Sequence, residues 1–340
     1  RGVKELWQWL RARASASSHN QATMTRYAPH KAPQRAEPLD VARIDEIAVA
    51  PMVTRPQPPE RLFTRHALQQ AWLAVKQAKG GPGVDGVTIA QFEARLEEEL
   101  AALQVELASG AYRPRPLRQV LVPKAGEGMR GLAIWALRDR VAQRVVYDLI
   151  APVFEPHFLP CSFGYRPGLG VEQAVQQVID YRNANLRWVV DADIVHCFDA
   201  IDSRRLFGMV RQRVRDRLVL RYIEQWLKVQ LLSSLDGKPR RAGASQGSVL
   251  SPLLANIYLH QMDQALTTRG LALVRYADDF VVCCRRRADA QNALTQAQAT
   301  LKRLGLELHP QKTQIVHFDQ GFAWLGHFFI RNECHRLAGG

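Results

Sequence analysis

Cysteine is scarce in this sequence, and its few cysteines form no metal-binding or disulfide pattern. Among 340 residues there are five cysteines, and no two of them stand in a C-x-x-C arrangement. This usage is typical of a protein kept in a reducing compartment, and it argues against a disulfide framework or a zinc ribbon. We therefore expect a cytoplasmic location.

Long apolar runs are lacking as well. The sequence has no secretory signal and no stretch of about 18 apolar residues, so we expect no membrane span and no membrane partner. It also lacks a G-x-x-x-x-G-K-[ST] loop and an H-E-x-x-H pair. These absences argue against a P-loop nucleotide site and a zinc-protease site.

Acidic residues are outnumbered by basic ones. The chain has 32 acidic and 46 basic residues, which gives a formal net charge of +14. Such a surplus favours a polyanionic partner such as nucleic acid, bound in a salt-dependent way. The alternative is a soluble protein in which arginine is simply frequent. Two basic clusters, Lys238–Arg241 and Arg285–Arg287, are interpreted as phosphate-contacting or solvated surface.

The acids that are present include a pair between two apolar runs. Asp278 and Asp279 separate Leu271–Val274 from Phe280–Cys283, a pattern that predicts a tight β-hairpin with two carboxylates at its tip. Adjacent carboxylates at the end of apolar strands are costly unless they bind something, and divalent cations are the usual ligand. An acidic turn exposed to water is the alternative interpretation.

A second acidic strand strengthens the metal hypothesis. The segment Arg187–Ile194 starts apolar and ends with Asp191 and Asp193, which would share one face because strand side chains alternate. If this strand lies beside the hairpin, three carboxylates converge. That set suits two Mg²⁺ ions about 4 Å apart, which can activate a 3′-hydroxyl and stabilise a leaving pyrophosphate. Asp191 and Asp199 are rivals to Asp193.

Further sequence blocks come in a fixed order along residues 61 to 330 and resemble the bacterial group II intron-like reverse transcriptases, a family that includes CRISPR-associated members. The blocks are Gly83–Thr88, Tyr112–Pro114, Val122–Lys124, Met129–Leu132, Arg138–Gln143, Ser162–Gly168, Asp193–Asp199, Gln246–Asn256, Tyr276–Asp279, His309–Thr313 and Trp324–Gly326. The resemblance implies an α+β fold with the fingers and palm of a right-hand polymerase, in which an antiparallel palm sheet packs on helices.

The same resemblance implies a set of metal ligands. Asp193 and Asp278 would bridge two Mg²⁺ ions, Asp279 would support them, and Ile194 would add its backbone carbonyl. Mn²⁺ is a possible substitute for Mg²⁺. The three aspartates are the residues that the resemblance makes catalytic.

The resemblance also implies contacts to the incoming nucleotide. Lys124 and Arg130 would grip the triphosphate, Gln246 would pack beside the nucleotide, and Lys312 would lie near the triphosphate as a general acid. Phe198 would block the ribose 2′-hydroxyl and so select deoxynucleotides. For each there is a plainer alternative, namely a surface cation, a hydrophilic loop or a core phenylalanine.

For the nucleic acid, the resemblance implies a template contact at Arg166 and a primer-grip hairpin at Trp324, Leu325 and Gly326. The alternative for the hairpin is simple core packing. Leu169 and Gly170 stand where the family more usually has basic and serine residues, which is a departure from the template-contact pattern.

Composition and local signals suggest three regions. Residues 1–60 are rich in Ser, Ala, Arg and Pro and are predicted to be an extension or linker; residues 61–185 would be fingers, and 186–340 would be palm ending at the primer-grip region. Because the chain starts at Arg1 and stops soon after Gly326, we expect a piece of a longer protein or a processed one, with the thumb absent or truncated.

Several helices are predicted from caps and periodicity. Thr64 is a helix N-cap, and Thr88 with Gln91 fits a capping box for one helix that ends near Gly110. Helices are also expected at 138–150, at 171–181, at 251–266 and before Gly305, and a strand is expected at 120–122.

The functional hypothesis is an RNA-directed DNA polymerase that extends a DNA or RNA primer on an RNA template with dNTPs. Its pathway would be CRISPR spacer acquisition, with integrase proteins as partners, or group II intron mobility, with intron RNA as partner. The alternatives are an RNA-dependent RNA polymerase with the same metal chemistry and a catalytically silent RNA-binding scaffold or maturase fragment.

Overall fold

The computed structural model describes residues 25–26, 57–123, 129–232, 239–241 and 247–337, with backbone alone at 25–26, 122–123, 129–131, 230–232 and 239–241. The helices are α1 (Pro59–Leu62), α2 (Arg65–Gln77), α3 (Ile89–Ala94), α4 (Leu96–Ser109), α5 (Leu137–Phe154), α6 (Val171–Asn183), α7 (Cys197–Ala200), α8 (Ser203–Arg213), α9 (Arg217–Leu227), α10 (Ser251–Thr267) and α11 (Arg287–Leu304).

Twelve strands complete the described part of the chain and form three four-stranded sheets. They are β1 (Thr25–Arg26), β2 (Leu117–Pro123), β3 (Met129–Ile134), β4 (Trp188–Asp193), β5 (Gln230–Leu232), β6 (Pro239–Arg241), β7 (Ala272–Tyr276), β8 (Asp279–Cys284), β9 (Gln314–His317), β10 (Phe322–Trp324), β11 (His327–Ile330) and β12 (Glu333–Arg336). The sheet orders are β3-β2-β5-β6, β7-β8-β4-β9 and β1-β12-β11-β10.

Helix caps set the start of the first described helices. The Thr64 hydroxyl accepts the Ala67 N–H at 3.1 Å, and Thr88 forms the predicted capping box with Gln91. The single helix predicted from Thr88 to Gly110 is wrong, because the chain breaks at Arg95 (φ −121°, ψ 27°) into α3 and α4. A continuous apolar spacing across the break hides it from a periodicity argument.

The sheet β7-β8-β4-β9 is antiparallel throughout, as predicted for a palm sheet. Because side chains alternate along each strand, Val190 and Val282 lie on one face and Val189 and Val281 on the other. The first face joins the main core and packs against α11. The second face belongs to a smaller core to which α6 contributes.

The sheet β1-β12-β11-β10 carries an aromatic cluster of its own. Phe322 and Phe329 stack with ring centroids 5.0 Å apart, and Phe318 packs edge-on against Phe322 at 5.3 Å. All three are buried, and they belong to the same core as Val189 and Val281. This cluster therefore connects the last sheet to the β7-β8-β4-β9 sheet.

The predicted division of the chain stays a prediction. The boundary between 60 and 61 falls inside α1, and the one between 185 and 186 falls between α6 and β4. Most of the predicted extension, 1–24 and 27–56, lies outside the described residues. Among the described helices, none combines the length and the apolarity needed to cross a bilayer.

Candidate active site

The two acidic strands are neighbours, which is the condition that the metal hypothesis requires. β4 and β8 pair in antiparallel register, which puts Asp193 directly opposite Asp279. Asp278 lies in the two-residue turn between β7 and β8, next to Asp279. The turn places Ala277 at φ 59°, a left-handed conformation that is unfavourable for a residue with a side chain. One end of the sheet thus carries the three predicted catalytic aspartates.

The carboxyl groups of Asp278 and Asp279 resist ionisation. Burial, followed by the charge of Asp193, raises the pKa of Asp278. Burial raises the pKa of Asp279 to about 7, with further contributions from the charges of Asp193, Asp278 and Asp191. The carboxylates therefore concentrate negative charge in a place where little water screens it. Such a place attracts a cation.

Lys312 supplies a cation from the chain itself. Its Nζ donates to Asp193 Oδ2 at 2.6 Å, and this hydrogen bond raises the lysine pKa. The backbone explains the proximity: the His309 N–H donates to the Asp193 carbonyl at 2.8 Å, and the Lys312 N–H donates back to the His309 carbonyl at 3.2 Å. The Lys312 side chain is 63% exposed, so it can turn toward an anionic ligand.

The oxygen ligands available at this site suit a hard cation, although the side chains are not already arranged to coordinate one. Carboxylate and carbonyl oxygens are the ligands that Mg²⁺ takes in proteins. Within the described residues, no group of three or more His, Cys, Asp or Glu side chains is arranged to hold a metal ion as it stands. The side chain of Ile194 is buried, so only its backbone could contribute a ligand.

The rival acids differ from the three aspartates in their surroundings. Asp191 lies on the same strand face as Asp193 and accepts a hydrogen bond from Gln314 Nε2 at 2.9 Å. Asp199 lies in the short helix α7 and not on a strand, and burial raises its pKa. Asp191 therefore adds to the charge at the site, while Asp199 does not pair with the β4–β8 end.

Phe198 lies in α7 and is only 8% exposed. It packs in the main hydrophobic core, which agrees with the plainer interpretation, and its role as a sugar-selecting residue stays a prediction. The adjacent Cys197 is buried, and its thiol pKa is raised to about 12 by burial and then by the charge of Asp278.

Comparison with known proteins decides the family. A family model described as reverse transcriptase (RNA-dependent DNA polymerase) matches residues 122–329. This chain belongs to the reverse transcriptase family. Its α+β fold, with helices packed on antiparallel sheet, comprises the fingers and palm of that family. Members of the family are RNA-directed DNA polymerases.

Individual relatives agree with the family assignment. Protein YkfC of Escherichia coli (strain K12) is 33% identical over 311 residues, which cover 78% of this chain and 82% of YkfC. Group II intron-encoded protein LtrA of Lactococcus lactis subsp. cremoris is 27% identical over 297 residues, covering 68% of this chain and 49% of LtrA. The chain thus spans about half the length of LtrA.

Among solved structures, the chain is similar to a partial Cas6-RT-Cas1–Cas2 complex. The match has 26% sequence identity and a TM-score of 0.45, and it covers 74% of this chain and 42% of that one.

Some predicted nucleotide contacts of the reverse transcriptase lie outside the described residues, namely Lys124 and Gln246. Arg130 lies in β3 opposite Val122. Gly247, which follows Gln246, has φ 111°, and a Cβ there would stand 2.1 Å from the Ala133 carbonyl oxygen. Only glycine fits at that position, so the chain after Gln246 runs directly against β3.

Arg166 is engaged within the protein. Its Nε donates to Glu155 at 2.9 Å, and its Nη1 donates to the carbonyls of Leu159 (3.1 Å) and Ser162 (2.8 Å). These contacts fasten the loop around 162–166 to the end of α5. The predicted template contact of Arg166 stays a prediction, and the neighbouring Tyr165 is the more exposed side chain, at 49%.

The predicted primer-grip residues form the β10–β11 hairpin. Leu325 (φ 46°) and Gly326 (φ 71°) make its two-residue turn, and Trp324 is buried. The hairpin exists as expected, and its contact with a primer stays a prediction.

One part of the site was not predicted, a buried polar network beneath the catalytic turn. The Arg275 guanidinium is fully buried and donates twice to the Asp263 carboxylate, at 2.7 and 2.6 Å. It also donates to Asn256 (2.9 Å), to Ser162 (2.7 Å) and to the carbonyl of Ala277 (2.9 Å). All five guanidinium N–H groups are thereby used, and one of them holds the turn that carries Asp278.

A second unpredicted contact lies on the same turn. A Cβ at Gly164 would stand 2.4 Å from the backbone nitrogen of Ala277, so glycine is required for this approach. Asn256 donates to the Gly164 carbonyl at 2.9 Å, which joins this contact to the Arg275 network. An arginine inside an apolar strand and an acid on a buried helix face are the sequence signals that could have indicated the network.

Proposed function

We propose that this chain adds deoxynucleotides to a primer 3′-hydroxyl on an RNA template, with Asp193, Asp278 and Asp279 holding two Mg²⁺ ions. The observation that carries the proposal is the register of β4 and β8, which sets Asp193 opposite Asp279 with Asp278 in the adjoining turn. The ions, when bound, would activate the attacking hydroxyl and stabilise the leaving pyrophosphate, and Mn²⁺ could replace them.

The chain's own residues prepare this chemistry. The raised pKa values of Asp278 and Asp279 reflect carboxylates that gain more from a cation than ordinary surface acids do. Lys312 neutralises the charge of Asp193 in the absence of a nucleotide. When a nucleotide binds, the exposed ammonium of Lys312 contacts the triphosphate and can protonate the leaving pyrophosphate. The backbone carbonyl of Ile194 is the proposed fourth oxygen ligand.

Other residues have proposed roles in substrate selection. Phe198 would close the pocket against a 2′-hydroxyl, Lys124 and Arg130 would hold the triphosphate, and Gln246 would line the nucleotide pocket. The β10–β11 hairpin would hold the primer end, and Arg166 would contact the template. Residues 61–185 would form the fingers, and residues 186–340 the palm.

The pathway is a separate proposal. LtrA is described as a group II intron-encoded protein, and its likeness to this chain supports an origin among intron-type enzymes with an RNA partner. Use of the same polymerase in CRISPR spacer acquisition, with integrase proteins, is the second proposed pathway.

A primer-extension assay tests the proposal. Wild type and Asp278→Asn would be compared on poly(rA)/oligo(dT) with Mg²⁺, using dTTP or UTP, and Asp199→Asn would serve as a matched control outside the carboxylate group. We expect dTTP incorporation by wild type and the control, and a loss of at least about 1,000-fold in Asp278→Asn, because a metal ligand is removed.

Each other outcome contradicts a defined part of the proposal. Equal use of UTP would overturn the role of Phe198 and favour an RNA polymerase. Equal activity of Asp278→Asn and wild type would remove the aspartates from catalysis. RNA binding by wild type without any incorporation would favour a scaffold.

A further inference from the structure

A dense group of exposed arginines lies on α8, on α9 and in the short segment between them. The stretch from Ser203 to Lys228 carries seven arginines and one lysine against two acids. Six arginines are exposed, and we name them the α8–α9 basic surface: Arg204, Arg205, Arg211, Arg215, Arg217 and Arg221. The two helices pack against each other, so their solvent faces adjoin.

The acids of this stretch, and the exposed Asp202 just before it, serve helix caps or a local ion pair. Asp202 caps α8 by accepting the Arg205 N–H at 2.7 Å. Asp216 is buried and caps α9 by accepting the N–H groups of Leu218 and Val219 at 3.0 Å. Glu224 pairs with Lys228 at 2.5 Å. The arginine excess is also not a general property of the surface, because the exposed first turn of α4 carries Glu97, Glu98 and Glu99.

Further cations extend the surface at both ends. Arg205 donates to the carbonyl of Arg303 at the end of α11, where Lys302 is exposed as well. At the other end, Arg221 lies beside Gly110, whose carbonyl accepts a hydrogen bond from Arg113. Exposed cations therefore continue beyond α8 and α9, to the end of α11 on one side and to the loop after α4 on the other.

This surface lies on the opposite side of the palm sheet from the catalytic aspartates. Leu206 and Val210 of α8 belong to the main core, together with Val190 and Ala192 of β4. Asp193 follows Ala192 and points to the other face, because strand residues alternate. A duplex held at the aspartates would occupy the front of the sheet, so a ligand on α8 and α9 would be a different segment of nucleic acid.

The chemistry of the surface favours contacts to a nucleic-acid backbone. The residues that the structure describes include no large exposed hydrophobic side chain on α8 or α9, so platforms for base stacking are absent there. Exposed guanidinium groups bind phosphates strongly and without regard to sequence. Double-helical RNA, which presents its backbone and hides its bases, matches such a surface.

We propose that the α8–α9 basic surface binds the backbone of a double-helical RNA segment that is distinct from the primer–template duplex at the aspartates. The inference rests on the proposed function in one respect: the RNA that carries the template is the molecule that would supply this segment. A structured RNA would then be held at two places, with its copied strand in front of the palm sheet and a folded part behind it.

The test measures RNA binding while the catalytic cleft is filled. Protein saturated with unlabelled primer–template would be titrated with a labelled blunt RNA duplex of about 16 base pairs. The variant is Arg204→Gln/Arg211→Gln, and the control with the same loss of charge is Arg61→Gln/Arg331→Gln, two exposed arginines outside α8 and α9. Primer extension on a short primer–template, free of other structure, is measured in parallel.

We expect wild type and control to bind the duplex in the presence of primer–template. The variant should bind about tenfold more weakly, with a salt slope reduced by about 2, because two phosphate contacts are lost. Its extension of the short primer–template should equal that of wild type.

Three outcomes would overturn the proposal: complete displacement of the duplex by primer–template, equal weakening in the control, or unchanged binding in the variant. The last would leave an acidic protein as the fitting partner. Duplex binding that follows the expected pattern, in a wild type that extends no primer, would contradict the proposed polymerase function and leave this RNA site in place.

Discussion

The β7–β8 hairpin and the β10–β11 hairpin both turn through two residues, and both place a non-glycine residue in the left-handed region. Ala277 (φ 59°) does so in the first hairpin, and Leu325 (φ 46°) in the second. The supports beneath them differ. A buried guanidinium with five hydrogen bonds holds the first, whereas stacked phenylalanines lie beneath the second.

The difference follows from what each hairpin must do. Hydrogen bonds are directional, and a bond from Arg275 to the Ala277 carbonyl fixes where Asp278 stands. Apolar contacts tolerate small shifts, which suits a hairpin that would lie along a primer. Burying an ion pair such as Arg275–Asp263 contributes little net stability. The comparison therefore indicates that the polar support serves position and the aromatic support serves stability.

The largest expected effect comes from removing the polar support. Arg275→Met leaves the fully buried Asp263 carboxylate without its partner, and we expect the free energy of unfolding to fall by about 3–5 kcal/mol. Denaturant unfolding measures this change. Primer extension per folded molecule should fall too, because the Ala277 carbonyl loses its donor.

A double variant separates position from stability. Arg275→Met/Asp263→Leu removes both charges, so most of the lost stability should return. Primer extension should stay well below wild type, since no donor reaches Ala277. Full recovery of activity in the double variant would mean that the network matters for stability alone, and the comparison of the two hairpins would fail.

The second expected effect concerns pH in the absence of metal. The pKa of Asp279 is about 7 in the folded protein, against about 3.9 in an unfolded chain, so the folded state binds more protons between these values. In EDTA, the free energy of unfolding should fall as the pH rises from about 4 to about 7. In Asp279→Asn this part of the decline should be absent. At pH 8 its free energy of unfolding should therefore be higher than that of wild type by roughly 2–4 kcal/mol.

Mg²⁺ provides the control for this measurement. At pH 8 it should stabilise wild type more than Asp279→Asn, because the carboxylate then has a cation. If the free energy of unfolding depends on pH in the same way in both proteins, Asp279 is not the group with the raised pKa.

The third effect is on the aromatic support. Phe329→Leu removes the stacking partner of Phe322 and should lower the free energy of unfolding by about 1–2 kcal/mol. The kcat of primer extension should not change, because no hydrogen bond to the catalytic turn is lost. A kcat loss comparable to that of Arg275→Met would show that the second hairpin also fixes the aspartates.

The smallest effect on stability is expected at Lys312. Its ion pair with Asp193 is exposed, so Lys312→Gln should change the free energy of unfolding by less than about 1 kcal/mol. kcat/KM for the nucleotide should nevertheless fall about tenfold through loss of a charged contact to the triphosphate. Lys312→Arg should keep most of the wild-type kcat/KM, because it keeps the positive charge. An equal loss of kcat/KM in both variants would argue against a charge contact.

Much of the site was predictable because it depends on strand periodicity. The two apolar runs around Asp278 and Asp279 predicted the hairpin, and alternation predicted that Asp191 and Asp193 share a face. The pairing of β4 with β8 could be expected only from the resemblance, since the two strands are separated by four helices. Their register follows from burying Val190 and Val282 together against α11.

What was missed depends on tertiary contacts whose local sequence signals are weak. The break at Arg95 interrupts an apolar spacing that reads as one helix. Arg275 stands inside an apolar strand, but its partners Asp263 and Asn256 lie on another element and cannot be matched to it from the sequence alone. The hydrogen bonds of Arg166 to the Glu155 side chain and to three backbone carbonyls were not predicted either, and its template contact stays a prediction.

The place of β4 in its sheet also bears on how activity should disappear on heating. β4 has hydrogen-bonded neighbours on both sides, β8 and β9, and α11 covers its apolar face. The amides of such an interior strand exchange with solvent only through the largest openings of a protein. Asp193 therefore lies on one of the last segments to open on heating. If DNA synthesis is lost below the main melting transition, the cause would be local unfolding in the parts that bind nucleic acid, because the aspartates would still be in place.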